Sequence, residues 1–286
     1  GVAREAARAR VPRRAPRWTT PARLRVPRRQ GGPAWTPRGG RDSSRFPVLL
    51  AALTGLLQIA YPLVHGHPRD VLTVVTVVAF FTASTSHAVV HRGLAWTVAF
   101  VVVTSGTGLI AESVGTGTGY PFGDYTYAGS LGAKLLGVPL VIPLAWSMMA
   151  YPCLLVGQRL SHSTLGAAAR GGFALASWDL FLDPQMVEAG HWRWADVQLA
   201  LPGAPDIPVS NYLGWLAVAV LMVGVLQLLP RREADDRQPA ALFLWTYASS
   251  VLANAAFFGR PLTALVGGIG LGLVAIPYAR TLRRWN

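Results

Sequence analysis

The chain contains eight runs of about twenty residues that are almost continuously apolar, and these runs limit its fold more than any other feature. They cover residues 47–64, 71–90, 94–114, 135–156, 164–182, 212–229, 240–258 and 261–279. A helix needs about 20 apolar residues to cross a bilayer, whereas the strands of a membrane barrel are short and alternating. The pattern predicts an all-α, polytopic transmembrane helical bundle with about eight spans. The number is seven if the last two runs, which only Gly259 and Arg260 separate, form one helix.

The positions of arginine and lysine predict how this bundle is oriented. With eight spans and the N-terminus in the cytoplasm, 22 basic residues fall on the inner side and four on the outer side. Without residues 1–45 the counts are nine and four. Cytoplasmic loops carry an excess of basic residues. We therefore expect both the N- and the C-terminus to be cytoplasmic.

Residues 1–45 differ in composition from the rest of the chain. They hold 13 of the 26 basic residues and only two acids, so most of the net charge of +13 lies here. Such a segment buries too little apolar surface to fold. We predict a disordered Arg/Pro-rich tail at 1–45 and a transmembrane helical domain at 46–286. The tail contacts anionic lipid head groups, or it is an orientation signal or an over-extended translation start. Because the remaining chain is nearly neutral, we expect no nucleic-acid partner.

Four acidic residues near the ends of predicted spans are candidates for catalysis. Glu112 and Asp124 lie at and after the end of the third span, and Asp179 and Asp183 lie at the end of the fifth, all toward the predicted outer face. Residues four apart share a helix face, and two carboxyl groups that close in a partly dry site do not both ionise readily. One of them can then serve as a proton donor. The alternative is a solvated pair at the end of a helix that Pro184 terminates.

Aromatic residues accompany these acids in the predicted outer loops. They are Tyr120, Tyr125, Tyr127, Trp178, Trp192 and Trp194. One interpretation is the aromatic belt that many membrane proteins place at the bilayer interface. The other is a wall of aromatic faces that binds a substrate and stabilises a cation.

The histidines do not predict a metal site. His87 and His91 are four residues apart, but the six histidines fall on opposite sides of the predicted membrane. The single cysteine, Cys153, lies within an apolar run. Ligands of one ion must converge on one point. We therefore expect interfacial histidines and no bound metal.

Several short stretches resemble a known family. They are AESVGTGTGYPFGDYTY at 111–127, PLAW at 143–146, ASWDLFLDPQM at 176–186 and WRW at 192–194. With these motifs, roughly residues 46–282 resemble the bacterial and archaeal carotenoid biosynthesis membrane-protein family. That family includes carotenoid 1,2-hydratases and bisanhydrobacterioruberin hydratases. The resemblance marks a site without assigning a role to each residue.

The resemblance implies a carotenoid hydratase, a hydro-lyase that works without a cofactor. Such an enzyme hydrates a terminal isoprenoid C=C of an acyclic or monocyclic carotenoid to a tertiary alcohol, by protonation from a carboxylic acid and capture of the cation by water. Asp179 or Asp183 is the first candidate for the donor. Glu112 and Asp124 come next, as donor or to position the water. Trp178, together with tyrosines of the outer loop, is a candidate for stabilising the cation.

Two other functions are alternatives to the enzyme. A proton-coupled membrane carrier needs the same buried acids, whereas a non-catalytic scaffold of a carotenoid-synthesis complex does not. The acidic and aromatic outer loops favour the enzyme over the scaffold. We expect an integral protein of the plasma membrane whose partners are the bilayer, a carotenoid substrate and other carotenoid-synthesis enzymes.

Overall fold

The computed structural model describes residues 45–282, which form eight α-helices. The predicted tail, residues 1–45, therefore lies outside the described residues except for Arg45, where α1 begins, and residues 283–286 also lie outside them. The helices are α1 Arg45–Ala60, α2 His67–Arg92, α3 Leu94–Thr118, α4 Val141–Leu160, α5 Thr164–Glu188, α6 Val209–Leu226, α7 Arg237–Leu252 and α8 Pro261–Leu282. A 3-10 turn, Tyr61–Leu63, extends α1, and a π-helical turn, Ala253–Phe257, extends α7.

The predicted polytopic helical bundle is confirmed. Seven of the eight described helices are long and apolar enough to cross a membrane, and the exception is α5. The sequence of α5 mixes small and acidic residues with apolar ones, and the helix lies at the centre, against α4, α6 and α8. Acidic residues within a membrane bundle face its interior. The last two apolar runs form separate helices because the chain turns at Gly259, whose φ is 63°.

The fourth helix begins later than the apolar run predicts. Residues at the start of that run form a small hairpin instead, in which β2 (Lys134–Leu135) pairs with β3 (Val138–Pro139). The turn of this hairpin has two left-handed residues, Leu136 at φ 51° and Gly137 at φ 85°. A right-handed helix cannot include such residues, so α4 starts only at Val141.

Glycines allow α5 to approach its neighbours closely. A Cβ atom on Gly157 of α4 would lie 2.3 Å from the backbone oxygen of Ala167 of α5. A Cβ atom on Gly172 of α5 would lie 2.5 Å from the Cα atom of Val220 of α6. Small residues at such contacts let helix backbones pack directly on one another. The position of α5 between α4 and α6 thus depends on the absence of these side chains.

We expect Gly172→Ala to lower the free energy of unfolding by about 1–3 kcal/mol, because the added methyl group overlaps the backbone of α6. Gly224→Ala is the matched control, since its Cβ atom would lie 3.8 Å from that of Ala168, an ordinary contact. Thermal unfolding in detergent measures the difference. Equal stability of the two variants would contradict this, because it would mean that α5 and α6 make room for the methyl group with no loss of unfolding free energy.

Two loops between helices pair to form a short ribbon over one end of the bundle. Strand β1 (Tyr125–Tyr127) is antiparallel to β4 (Trp192–Trp194), with Tyr125 opposite Trp194 and Tyr127 opposite Trp192. Alternate residues of a strand point to the same face. The four aromatic residues therefore share the inner face, while Thr126 between them is exposed. A further pair, β5 (Ala200–Leu201) with β6 (Ala204–Pro208), precedes α6.

Candidate functional site

The two aspartates of α5 form a buried carboxyl pair. Asp179 is 0% exposed and Asp183 is 2% exposed, and the Oδ2 atoms of both accept from the same amide nitrogen, that of Asn211, so the two carboxyl groups lie side by side. Within residues 45–282, no lysine, arginine or histidine forms an ion pair with either. Two uncompensated buried carboxylates repel each other and lose their hydration. A proton on one of the two carboxyl groups removes this repulsion, so the arrangement favours a pair that retains a proton.

Two side chains from other elements orient this pair. The amide nitrogen of Asn211, in the first turn of α6, donates to Oδ2 of Asp179 at 3.1 Å and also to Oδ2 of Asp183. The indole nitrogen of Trp192, on β4, donates to Oδ1 of Asp183 at 3.0 Å. Oδ1 of Asp179 has no hydrogen-bond partner among the described residues. Asp183 therefore has the better-stabilised carboxylate form, and Asp179 is the better place for a retained proton.

Glu112 of α3 lies opposite the pair and accepts three hydrogen bonds. Its Oε1 accepts from the indole nitrogen of Trp146 at 3.0 Å. Its Oε2 accepts from the hydroxyl of Tyr127 at 2.8 Å and from that of Tyr125. The residue is only 3% exposed. Hydrogen bonds to a charged acceptor are the strong ones, so these three donors fix the side chain in one orientation.

The two tyrosines remain donors over the whole physiological pH range. Burial, and next the neighbouring Glu112 charge, raises the pKa of the Tyr125 and Tyr127 hydroxyls well above the ordinary value. Their hydroxyls thus stay protonated, and the hydrogen bonds to Glu112 persist. The ribbon of β1 and β4 is therefore tied to α3 through a carboxyl group.

We expect Tyr127→Phe to lower the free energy of unfolding by about 1.5–3 kcal/mol, because Glu112 loses a donor in a buried setting. Tyr120→Phe is the matched control, since Tyr120 is 78% exposed and its change should stay within about 0.5 kcal/mol. Chemical unfolding in mixed micelles compares them. If Tyr127→Phe lost no more unfolding free energy than Tyr120→Phe, the hydrogen bond from Tyr127 to Glu112 would contribute nothing to stability.

Two adjoining spaces lie beside these acids. The smaller, about 20 Å³, is bordered by Glu112, Asp183, Asn211 and the surrounding aromatic side chains. A water molecule needs roughly 10–15 Å³ in this measure, so the space fits one water. The larger, about 140 Å³, is mostly apolar and shares four wall residues with the smaller: Ile142, Ala145, Leu182 and Trp192. An acid, room for a water and an apolar chamber therefore lie next to one another.

Most of the residues proposed from the sequence come together here. Around the smaller space lie Glu112, Asp183, Tyr125, Tyr127, Trp192 and Trp194. Asp179 lies behind Asp183, and Trp178 lines the larger cavity. Asp124 is exposed, with its backbone oxygen in the ribbon, and Tyr120 is exposed as well, so neither side chain lines these spaces.

Three further residues of the site escaped the sequence analysis as individual candidates: Asn211, Trp146 and Trp215. Trp146 stacks on Trp215 with ring centroids 3.9 Å apart, and the pair lines the smaller space. Trp146 lies in the PLAW motif, which was a usable signal. Asn211 lies in the first turn of an apolar helix, where a single amide is ordinary and gave no signal.

The histidine pair lies in a separate polar cluster on α2. His87 and His91 stack with ring centroids 4.2 Å apart, and the ring nitrogens of His87 contact the Tyr151 hydroxyl at 2.8 Å and the Asp235 carbonyl at 2.9 Å. Arg92 holds Asp236 through two hydrogen bonds of 2.7 and 2.9 Å. In the described part of the chain, no three His, Cys, Asp or Glu residues are grouped as metal ligands. These contacts fasten the loop between α6 and α7 to α2.

Fold and site together define a class: a polytopic α-helical membrane protein with a buried carboxylic-acid site enclosed by aromatic side chains. A family model described as carotenoid biosynthesis protein matches residues 72–276. Because the match covers more than half of the chain, the chain belongs to the carotenoid biosynthesis protein family, and its role lies in carotenoid biosynthesis.

The chain is also similar to a named enzyme. The bisanhydrobacterioruberin hydratase of Haloarcula japonica is 35% identical over 120 residues, which is 39% of this chain and 39% of the relative. The match thus spans about two fifths of the relative's length. No solved structure matches the chain.

Proposed function

We propose that the protein is a carotenoid hydratase of the plasma membrane, which adds water to a terminal isoprenoid C=C of an acyclic or monocyclic carotenoid. The observation that carries the proposal is the water-sized space between Asp183 and Glu112, next to the larger apolar cavity. Hydration of an alkene needs an acid, a water and a dry pocket for the hydrocarbon. Family membership supports a carotenoid as the substrate, and the hydratase relative supports the reaction.

Asp183 is the proton donor in this reaction. Its carboxyl group borders the space, and the hydrogen bonds from Trp192 and Asn211 stabilise the carboxylate that remains after transfer. The acid O–H bond breaks, and a C–H bond forms at the less substituted carbon of the alkene. Positive charge then develops on the tertiary carbon. Asp179 keeps a second proton beside the donor and acts as a positioning residue.

Glu112 positions the water and accepts its proton. The water oxygen bonds to the tertiary carbon, and the released proton moves to the Glu112 carboxylate. Since Glu112 and Asp183 border the same space, the next water to enter can return the proton to Asp183. The balance is one alkene plus one water to one tertiary alcohol, with no cofactor consumed.

Aromatic faces stabilise the cation while it exists. Trp178 and Trp192 line the larger cavity, and the stacked pair of Trp146 and Trp215 lines the smaller space. The face of an aromatic ring attracts a cation, by about 2 kcal/mol or more when the pair is desolvated. The same side chains keep bulk water away, so only the positioned water reacts.

Expression of the whole chain in a host that accumulates lycopene or bisanhydrobacterioruberin tests the proposal. Extracted pigments are analysed by mass spectrometry after growth with water labelled with heavy oxygen. We expect a gain of one or two waters, with the label in the new alcohol. An unchanged pigment mass with both substrates, despite protein in the membrane, would contradict hydration. Carotenoid flux without a product would instead identify a carrier.

A further inference from the structure

The larger cavity is too small for a whole carotenoid. Its volume of about 140 Å³ compares with a cavity of about 150 Å³ that holds one benzene molecule. One terminal isoprene unit fits this space. A carotenoid chain is about as long as the hydrocarbon core of a bilayer is thick, roughly 30 Å. Most of a carotenoid substrate must therefore lie outside the cavity while its end reacts.

A groove of about 520 Å³ on the outside of the bundle is large enough to hold part of the substrate that the cavity cannot. It lies between α1 and α7 and is lined by small and apolar side chains of both helices, from Val48 to Ile59 on α1 and including Trp245 on α7, with Arg237 and Gln238 at one end. From Val48 to Ile59 a helix rises about 16 Å. The small residues of α1 leave the groove open, because they place no long side chain in it.

The same two helices separate this groove from the cavity. Gln58 faces the cavity and its neighbour Ile59 faces the groove. Thr246 faces the cavity and its neighbour Trp245 faces the groove. The contact between α1 and α7, which we call the seam, is therefore the wall between the two spaces.

The seam is weakly closed. Among residues 45–282, no side-chain hydrogen bond joins α1 to α7, and Oε1 of Gln58 and Oγ1 of Thr246 are buried without a partner. Of the seven helices that can cross a membrane, α1 buries the smallest share of its residues. Trp245 covers Gly55, since a Cβ atom there would lie 3.7 Å from the indole nitrogen. Little holds the two helices together beyond apolar contact.

We propose that the groove between α1 and α7 binds the apolar tail of the isoprenoid substrate, and that the seam is the lateral passage through which the terminal unit enters the cavity from the lipid. This assignment rests on the proposed function for its substrate. The groove supplies a surface along the tail, and the cavity receives the end. Bilayer lipid is the other molecule that could lie in the groove, and the tests below distinguish the two.

The kinetic test uses a variant whose added side chain occupies the groove. Gly55→Leu places a branched side chain beneath Trp245, and Gly106→Leu makes the same change on α3, where a Cβ atom would meet nothing within 4 Å. We expect Gly55→Leu to raise KM for a full-length carotenoid about tenfold or more, since it displaces several methylene groups of the tail. The KM for a short isoprenoid with the same terminal double bond should rise much less, because that molecule crosses the seam but has no tail to lie in the groove. Equal kinetics of the two variants on the full-length carotenoid would overturn the proposal and leave the hydratase function intact.

A binding test needs no turnover. An isoprenoid chain with a photoreactive diazirine at its middle is irradiated with the wild-type protein in vesicles, and labelled peptides are identified by mass spectrometry. We expect label on the groove residues of α1 and α7, reduced by excess carotenoid. Label spread over all lipid-facing helices, without competition, would mean that lipid fills the groove and would overturn the proposal. Competed label in the groove of a protein that hydrates nothing would support the groove and overturn the hydratase function.

Discussion

Asp183→Asn is expected to slow carotenoid hydration by about 10²- to 10⁴-fold, the usual contribution of a general acid. Asparagine keeps the size of the side chain, and its oxygen can still accept from the indole of Trp192 at 3.0 Å. Its NH₂ group replaces Oδ2 and costs the one hydrogen bond that Asn211 donates there. It cannot protonate a carbon atom. The fold should therefore survive while the first chemical step fails. Product per unit of membrane-inserted protein, measured by chromatography with mass detection, gives the ratio.

The control for this variant is Asp206→Asn, because Asp206 lies exposed on β6 away from the acids. Its activity should match the wild type within about twofold, as expected of a surface change away from packing and polar networks. The hydration activity of Asp179→Asn should lie between those of Asp183→Asn and Asp206→Asn, since Asp179 touches the donor and not the substrate. An active Asp183→Asn protein together with an inactive Asp179→Asn protein would reverse the roles of the two aspartates.

Glu112→Gln is expected to reduce hydration by about 100-fold or more and to lower the free energy of unfolding by about 1–3 kcal/mol. The amide cannot take the proton from water. Its NH₂ group also faces donors, because Trp146, Tyr125 and Tyr127 all point their hydrogens at this carboxyl. At least one of these buried donors loses its acceptor. Both effects come from replacing one carboxylate oxygen of Glu112 by an NH₂ group, so activity and stability should fall together.

Thermal unfolding and product formation are measured on the same preparation, with Glu233→Gln as the exposed control. A Glu112→Gln protein with wild-type stability would mean that the three hydrogen bonds are not formed in the folded state. A stable, fully active variant would remove Glu112 from the reaction and leave the water to be positioned by other groups.

The sequence predicted the elements of this protein better than their contacts. The eight apolar runs correspond to the eight helices, and the spacing of Asp179 and Asp183 predicted a pair on one face of α5. The weaker predictions concern the segments between helices. Leu136 and Gly137 begin a turn inside an apolar run, because left-handed backbone is a local geometry that hydropathy does not reveal.

In the candidate site too, the sequence identified the residue types better than it identified which of them come together. Tyr125, Tyr127, Trp192 and Trp194 were proposed as one aromatic group, and their alternation along two strands explains why they share a face. Asp124 and Tyr120 are in the same loop, yet both are exposed. Position along the loop could not separate the inward-facing residues from the exposed ones, since the side that a residue faces depends on the pairing of β1 with β4.

By itself the sequence determined the helical bundle, because a run of about 20 apolar residues is stable in a bilayer only when its backbone is hydrogen-bonded within a helix. It also placed the two aspartates of α5 on one face of the helix, because residues four apart are neighbours on the helix surface. Only the tertiary structure decided that Glu112 faces this pair and that Asn211, 32 residues from Asp179, bridges it. Such contacts depend on how α3, α5 and α6 pack, and no local pattern in the chain encodes that packing.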